Sequence, residues 1–442
     1  MTTVIKPRER DAILQSLRAG VVPYIGLQHI QVGRKEEVKA ILSDLDSISQ
    51  GGAAIRFIIG RYGSGKSFFL NLARMLALEK KFVIAQADIS LDRRLHGSGG
   101  KARSLYSELM KNMSTGAKRD GGAMLSLVEK WVSDVDFEMR QTGGDLHQAI
   151  YVRLKPLQDY VSGYDFAAVI SKYVEGFEKG DDELMTSSLR WLRAEYATKT
   201  EARQDLGVRS IIDDQDVYDY LKLMAAFVRL AGYAGLLVNL DEMGILSHRL
   251  NNKSARDANY EMIRKIFDDC SHGSVTGLGV IFAGTDDFMD DQRRGLASYE
   301  ALETRLAKNT FAVGGLRDFS GPVIRLQSLT MEDLYVLLHN IRLVYAAGDT
   351  SRYLVPDAAL KAFIQHCAKR LGSESYQTPR EVAKGFVELL SVLEQNPGTD
   401  WQSLLNSIDF QPSRDSDNLP TASDDISAAS KDEQDELATF HL

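Results

Sequence analysis

The sequence predicts an α/β fold in which a parallel β-sheet is flanked by helices on both faces. Three observations carry that prediction. A short apolar strand runs straight into a glycine-rich loop and then a helix, over residues 54–78. Three more apolar strands follow residue 234 and alternate with helical patterns. A long stretch between them reads as helix, which argues against an all-β chain.

The elements follow in order. Residues 1–50 read as a helical lead-in, and residues 51–328 as the α/β core. Ala54 to Ile59 forms a buried strand, and Phe68 to Leu78 a helix whose apolar face is Phe69, Leu70, Leu72, Ala73 and Leu76. Lys81 to Ala87 is a second strand. Residues of about 100–230 carry helical patterns such as Met124 to Met139 and Val217 to Leu230. A structureless loop of that size is improbable inside a domain, so the stretch is expected to be a large helical insertion. Strands return at Gly235–Leu240, Leu278–Ala283 and Val323–Leu326. Met331–Tyr345, Pro356–Leu371 and Pro379–Glu394 then give a C-terminal helical domain over 329–396, and 397–442 an acidic tail expected to be disordered.

Composition narrows the classes. With 44% hydrophobic and 26% charged residues, the chain is globular in type. No apolar run reaches the roughly 18 residues that span a bilayer. The first residues lack the apolar core of a secretory signal. The two cysteines, Cys270 and Cys367, fit neither a metal site nor a disulfide framework. A reducing cytoplasm and no membrane are the expectation. The net charge of −8 is local: eight acidic residues against Lys431 alone fall in 415–442. The body is near neutral, so only local patches can speak for nucleic acid.

Gly60-Arg61-Tyr62-Gly63-Ser64-Gly65-Lys66-Ser67 has the spacing G-x-x-x-x-G-K-[S/T]. Glycines let successive backbone N–H groups turn toward phosphate oxygens, and the helix beginning behind them adds its positive end. Lys66 has the reach for the β- and γ-phosphates of ATP, and the Ser67 hydroxyl is a ligand for Mg²⁺. Arg61, Tyr62 and Phe68 complete the expected nucleotide-binding segment. Leu236-Leu-Val-Asn-Leu-Asp241-Glu242 is an apolar strand ending in two carboxylates. Asp241 is the expected Mg²⁺ ligand, usually through water, and Glu242 the base that polarises the attacking water. An Asp-Glu pair alone is most often a solvated strand end. Its position downstream of the phosphate loop is what points to hydrolysis. At the tip of the next strand, Thr285 is the candidate for orienting that water, ahead of Asp286; the bland reading is a simple strand-ending turn.

Together these residues resemble the P-loop AAA+ ATPases of the ASCE class, in the branch shared by origin-recognition ATPases and the signalling STAND ATPases. Val32-Gly33-Arg34-Lys35-Glu36-Glu37 is similar to the element that touches adenine in that branch. The resemblance places an arginine finger at Arg305, within Ala301-Leu-Glu-Thr-Arg305-Leu306. It identifies Ile324 to Leu334 as the passage into a helical lid and Thr378-Pro379-Arg380 as the lid's arginine motif. More narrowly, residues 20–395 resemble the ATP-binding proteins of bacterial BREX phage-defence systems, the BrxD-like family. That likeness rests on the Gly20-Val-Val-Pro23 lead-in, the phosphate loop and the Leu-Asp-Glu-Met243 strand end. Two departures stand out. Thr285 and Asp286 occupy the place where AAA+ proteins usually carry Asn, and the mostly acidic or polar residues after Glu394 are not expected to form the winged helix of origin-recognition ATPases.

The resemblance implies a homo-oligomer, in which Arg305 of one copy reaches the γ-phosphate of the next, and a defence-system partner such as a helicase. DNA contact is expected at two basic segments, 93–103 and 248–256, through phosphates and without base stacking. Their plain alternative is a solvated charged face. The rival to an ATP-hydrolysing machine is a STAND-like nucleotide-gated switch or scaffold with little turnover. A phosphotransferase is a weaker rival, because a glutamate follows Asp241.

Overall fold

The computed structural model describes residues 5–312, 317–370 and 378–407. Five strands form one sheet: β1 (Ala53–Ile59), β2 (Val83–Asp88), β3 (Leu236–Asp241), β4 (Leu278–Gly284) and β5 (Val323–Arg325). Their order is β2-β3-β4-β1-β5, and every pairing is parallel. The arrangement is consistent with a P-loop fold. The strand feeding the glycine loop lies inside the sheet between β4 and β5, with β4 inserted between it and β3. In register, Ile59 faces Gly284, Leu240 faces Phe282 and Asp88 faces Asp241. The carboxyl ends of four strands therefore finish along one edge, where open α/β sheets bind ligands.

Helices α1 (Pro7–Arg18) and α2 (Lys35–Ser49) precede the sheet, and α3 (Lys66–Glu79) joins β1 to β2. Seven helices link β2 to β3: α4 (Lys101–Lys111), α5 (Met124–Thr142), α6 (Leu146–Leu154), α7 (Gly163–Lys179), α8 (Asp182–Leu192), α9 (Lys199–Leu206) and α10 (Val217–Leu230). After β3 come α11 (Gly244–His248) and α12 (Lys253–Ser271), and after β4 come α13 (Asp286–Asp290) and α14 (Glu300–Arg305). The chain continues past β5 with α15 (Met331–Tyr345), α16 (Asp357–Arg370), α17 (Pro379–Gln395) and α18 (Trp401–Ser407). Side chains start several of these helices. Thr330 and Asp333 form a reciprocal capping box on α15, and Thr378 accepts the N–H of Glu381 on α17.

Alternation along the strands sorts the core into two faces. Phe57, Ile59, Val238, Leu240 and Phe282 share one apolar cluster with α4 to α10 and α12. Ile58, Ile84, Leu237 and Ile281 pack instead on α2 and α3. A third cluster holds the helices after β5 together, and Ile13 and Leu14 of α1 belong to it. The expected lead-in of residues 1–50 is thus shared: α1 packs on the C-terminal helices and α2 on the sheet.

Arg56 interrupts an otherwise apolar β1, and the structure shows why it is tolerated. It is 8% exposed and pairs bidentately with Asp44 of α2, at 2.5 and 2.8 Å. Its remaining nitrogen donates to the carbonyls of Phe319, at 3.0 Å, and Gly321. A buried charge is stable only when paired and hydrogen-bonded in this way.

One expectation changes at the C-terminal end. The sequence from residue 397 onward is expected to be disordered, yet α18 lies within it. Asp400 accepts the N–H of Ser403 at 2.9 Å, and Leu405 is buried in the third cluster beside Trp401 and Leu404. The short apolar spacing Trp-x-x-Leu-Leu carries that helix, and polar neighbours obscure it. The acidic residues 415–442, including Leu437, Phe440 and Leu442, lie outside the described residues.

Candidate nucleotide site

The glycine loop leaves β1 at Gly60, whose N–H donates to Gly284 of β4 at 3.2 Å. A Cβ at Gly60 would lie 2.7 Å from the Ser64 hydroxyl, and one at Gly63 would lie 2.9 Å from Thr378. Gly63 and Gly65 also have φ of 72° and 95°, in the left-handed region. The loop therefore requires glycine at these positions. Gly65 precedes the first turn of α3, so the free N–H groups of that helix open toward the loop. Lys66 curls back, its ammonium donating to the carbonyls of Gly60 at 2.9 Å and Arg61 at 3.0 Å. Burial holds this ammonium below its usual range, against the opposing pull of Asp241 and Glu242.

The tip of β3 comes to the same place. The Ser67 hydroxyl donates to the Asp241 carboxylate at 2.8 Å. The other Asp241 oxygen accepts the N–H of Glu242, also at 2.8 Å. Glu242 has φ of 57°, a left-handed turn that is uncommon for a residue with a side chain. The turn brings the Met243 N–H to the carbonyl of Ala283 on β4, at 3.1 Å, and leaves Glu242 exposed at the cavity wall. Strained positions of this kind cluster at functional sites. The pairing of Ser67 with Asp241 suits Mg²⁺, which is held by one or two protein oxygens plus water and substrate phosphates. Among the described residues no group of three or more His, Cys, Asp or Glu is placed to hold a metal ion.

A cavity of about 680 Å³ opens over the loop. Its walls include Tyr62 to Phe68, Asp241, Glu242 and Thr285. The lining also includes the apolar residues Val22, Pro23, Val32, Leu329, Leu337 and Ala383. Thr285 caps α13, its hydroxyl accepting the Phe288 N–H at 3.3 Å. Asp286 instead pairs with Arg325 at 3.3 Å and is not among the lining residues. Arg34 lines the cavity and ties its rim together. It donates to Gln327 at 2.6 Å and Ser64 at 3.3 Å and pairs with Glu37 at 3.6 Å. Burial lowers the Arg34 guanidinium's affinity for its proton, and Glu37 offsets part of that. Gly33 is one residue outside the lining, with φ of 62° beside Asp333. Arg380 of α17 also lines the cavity. It donates to the Tyr62 hydroxyl at 2.5 Å, and its guanidinium lies 5.2 Å from the centre of the Tyr62 ring.

Arg305 is not brought to this cavity. It is clamped on Asp268 of α12 at 2.6 and 3.1 Å and on the carbonyl of Ala301. In the basic segment 93–103, Arg94 is buried, Arg93 pairs with Glu108 at 3.2 Å, and Arg103 donates to Tyr196 at 3.2 Å. The Asp214 carboxylate accepts the N–H groups of Gly100, Ala102 and Arg103. In 248–256, Arg256 is buried on the carbonyl of Leu250, whereas His248, Arg249 and Lys253 are exposed.

Sequence reasoning missed one wall. Gln86, Asp88, Glu108, Asn112 and Asn239 line the cavity on the β2 side. Only Asn239 carried a signal, as a lone polar residue inside an apolar strand. Gln86 and Asp88 of β2 and Glu108 and Asn112 at α4 reach Asn239 only because β2 pairs with β3 and α4 packs on β2.

The family model for the BREX system ATP-binding proteins BrxC/D matches residues 5–409. The chain belongs to that family. No curated protein gave a significant match. Among the described residues, no helix is long and apolar enough to cross a membrane.

Proposed function

We propose that this member of the BREX ATP-binding family hydrolyses ATP as an AAA+ ATPase of phage defence, acting as an oligomer on DNA. The observation that supports hydrolysis best is the hydrogen bond of Ser67 to Asp241, at 2.8 Å, with Lys66 and Glu242 on the same cavity wall. The loop N–H groups and Lys66 hold the β- and γ-phosphates. Ser67 and Asp241 would hold Mg²⁺, which when bound neutralises phosphate charge. Glu242 accepts the proton of a water whose oxygen attacks the γ-phosphorus. The bond to the bridging oxygen breaks as that bond forms, and its electron pair leaves on ADP.

Thr285 orients the water from the β4 tip. The helices after β5 act as a lid, whose Arg380 moves from Tyr62 to the phosphates on closure. Arg305 of a neighbouring copy, released from Asp268, supplies charge in trans. The seven helices between β2 and β3 are the insertion. DNA binds through phosphate contacts from His248, Arg249 and Lys253, which are exposed in the second basic segment. The resting positions of Arg380 and Arg305 also suit the rival reading, a switch that turns over rarely.

Steady-state ATP hydrolysis by the full chain, with and without duplex DNA, separates the two. Stimulation by DNA that fades steeply with salt supports the DNA-acting ATPase. Slow turnover indifferent to DNA supports the switch.

A further inference from the structure

β3 should be apolar throughout, since Leu236, Leu237, Val238 and Leu240 are each no more than 2% exposed. Asn239 stands among them at 3% exposed. Neither its carboxamide oxygen nor its nitrogen has a partner among the described residues. Buried carboxamides are rarely left in that state, because both groups have been stripped of water without compensation. Asn239 nevertheless lines the main cavity.

Its placement says what compensates it. Residues two apart on a strand share a face, so Asn239 lies on the same side as Asp241. Across the pairing, Gln86 faces Asn239 and Asp88 faces Asp241. Asn71 of α3 and Asn112, which donates to the Gln86 carbonyl at 3.1 Å, line the same end. Asn239, Asp241 and Ser67 thus line one cavity, with Asn71, Gln86 and Asn112 among its other polar residues.

We propose that Asn239 is a positioning residue for Mg²⁺, its carboxamide holding water of the ion's outer hydration shell beneath Asp241. This rests on the reading of Ser67 and Asp241 as the Mg²⁺ site. Mg²⁺ keeps several of its waters, so groups that orient those waters tune its affinity without touching it. The oxygen and nitrogen of one carboxamide can accept from one water and donate to another, which a leucine cannot do.

The test is a Mg²⁺ titration of fluorescent mant-ATP binding to the full chain, compared with Asn239→Leu. The expected result is a half-saturating Mg²⁺ concentration raised about 10-fold. Affinity for mant-ATP in EDTA stays within about 2-fold, and the melting temperature does not fall, since an apolar residue suits the strand. Half-saturation unchanged in Asn239→Leu would overturn the proposal and make Asn239 a packing residue. If Asn239→Leu melts early, Asn239→Ala is read in the same way, because it removes the carboxamide without adding bulk. Should Mg²⁺ fail to strengthen binding even in the unaltered chain, the Mg²⁺ site itself falls, an outcome visible before any variant is examined.

Discussion

Lys66 and Ser67 are both engaged within the chain, and ATP must compete for them. Lys66 spends its ammonium on two loop carbonyls, and Ser67 its hydroxyl on Asp241. Phosphate oxygens are stronger acceptors than neutral carbonyls, so Lys66 is expected to transfer to them when ATP binds. Lys66→Ala is expected to cut ATP hydrolysis by about 100-fold or more, the cost of one preorganised charge at a reacting phosphate; a steady-state phosphate assay reads it. The cysteines carry a separate expectation. Burial pushes the Cys270 thiol up to about 12 and Cys367 to about 11. The thiolate is the reactive form, so both are expected to resist iodoacetamide at pH 8 in the native chain and to label once it is unfolded in guanidinium. Rapid native labelling would contradict their burial.

Between elements, the contact of α17 with the phosphate loop matters most. Arg380 on Tyr62 links the C-terminal helices to the loop through one hydrogen bond and one ring face. Arg380→Ala is expected to lower hydrolysis about 10-fold and to leave α17 open to limited proteolysis whether or not ATP is present. The Arg56–Asp44 pair fixes α2 to β1. Asp44→Ala, which strands a buried guanidinium, should cost about 3 kcal/mol of stability, while Arg56→Met should be near neutral; urea unfolding distinguishes them. A third tether joins α12 to α14. Arg305 of α14 holds the Asp268 carboxyl of α12 low, and the Tyr299 hydroxyl at the start of α14 donates to Glu261, which its hydrogen bond to Arg264 holds down at about 2. Depressed carboxylates contribute stability above their ordinary values, and that stability is lost as pH falls toward the folded value. Hydrogen exchange should therefore show α14 protected at pH 5 and loosening by about pH 3.

Most of these elements could be read from the chain because their signals are local. The strand before Gly60, the helix after it and the Asp241-Glu242 tip each occupy one window of sequence. Helices Val217–Leu230 and Met331–Tyr345 match their expected bounds for the same reason. What could not be read depends on pairing. Nothing in the sequence says that Gln86 lies opposite Asn239, that α1 packs on the helices after β5, or that Arg305 rests on Asp268. The basic segments read as charged patches because the acceptors that engage Arg93, Arg103 and Arg256 are supplied by the fold.

Across the whole molecule, one parallel sheet brings four strand tips to a single cavity, and the N- and C-terminal helices close its apolar side. Hydrolysis of ATP at that cavity, with Glu242 as the base, is the central claim. The most direct measurement is single-turnover hydrolysis of γ-labelled ATP by Glu242→Gln, with ATP binding measured on the same sample. ATP affinity is expected to stay within a few-fold of the unaltered chain, with cleavage slowed at least about 100-fold. Cleavage at the original rate with full binding would contradict it and remove Glu242 from the chemistry.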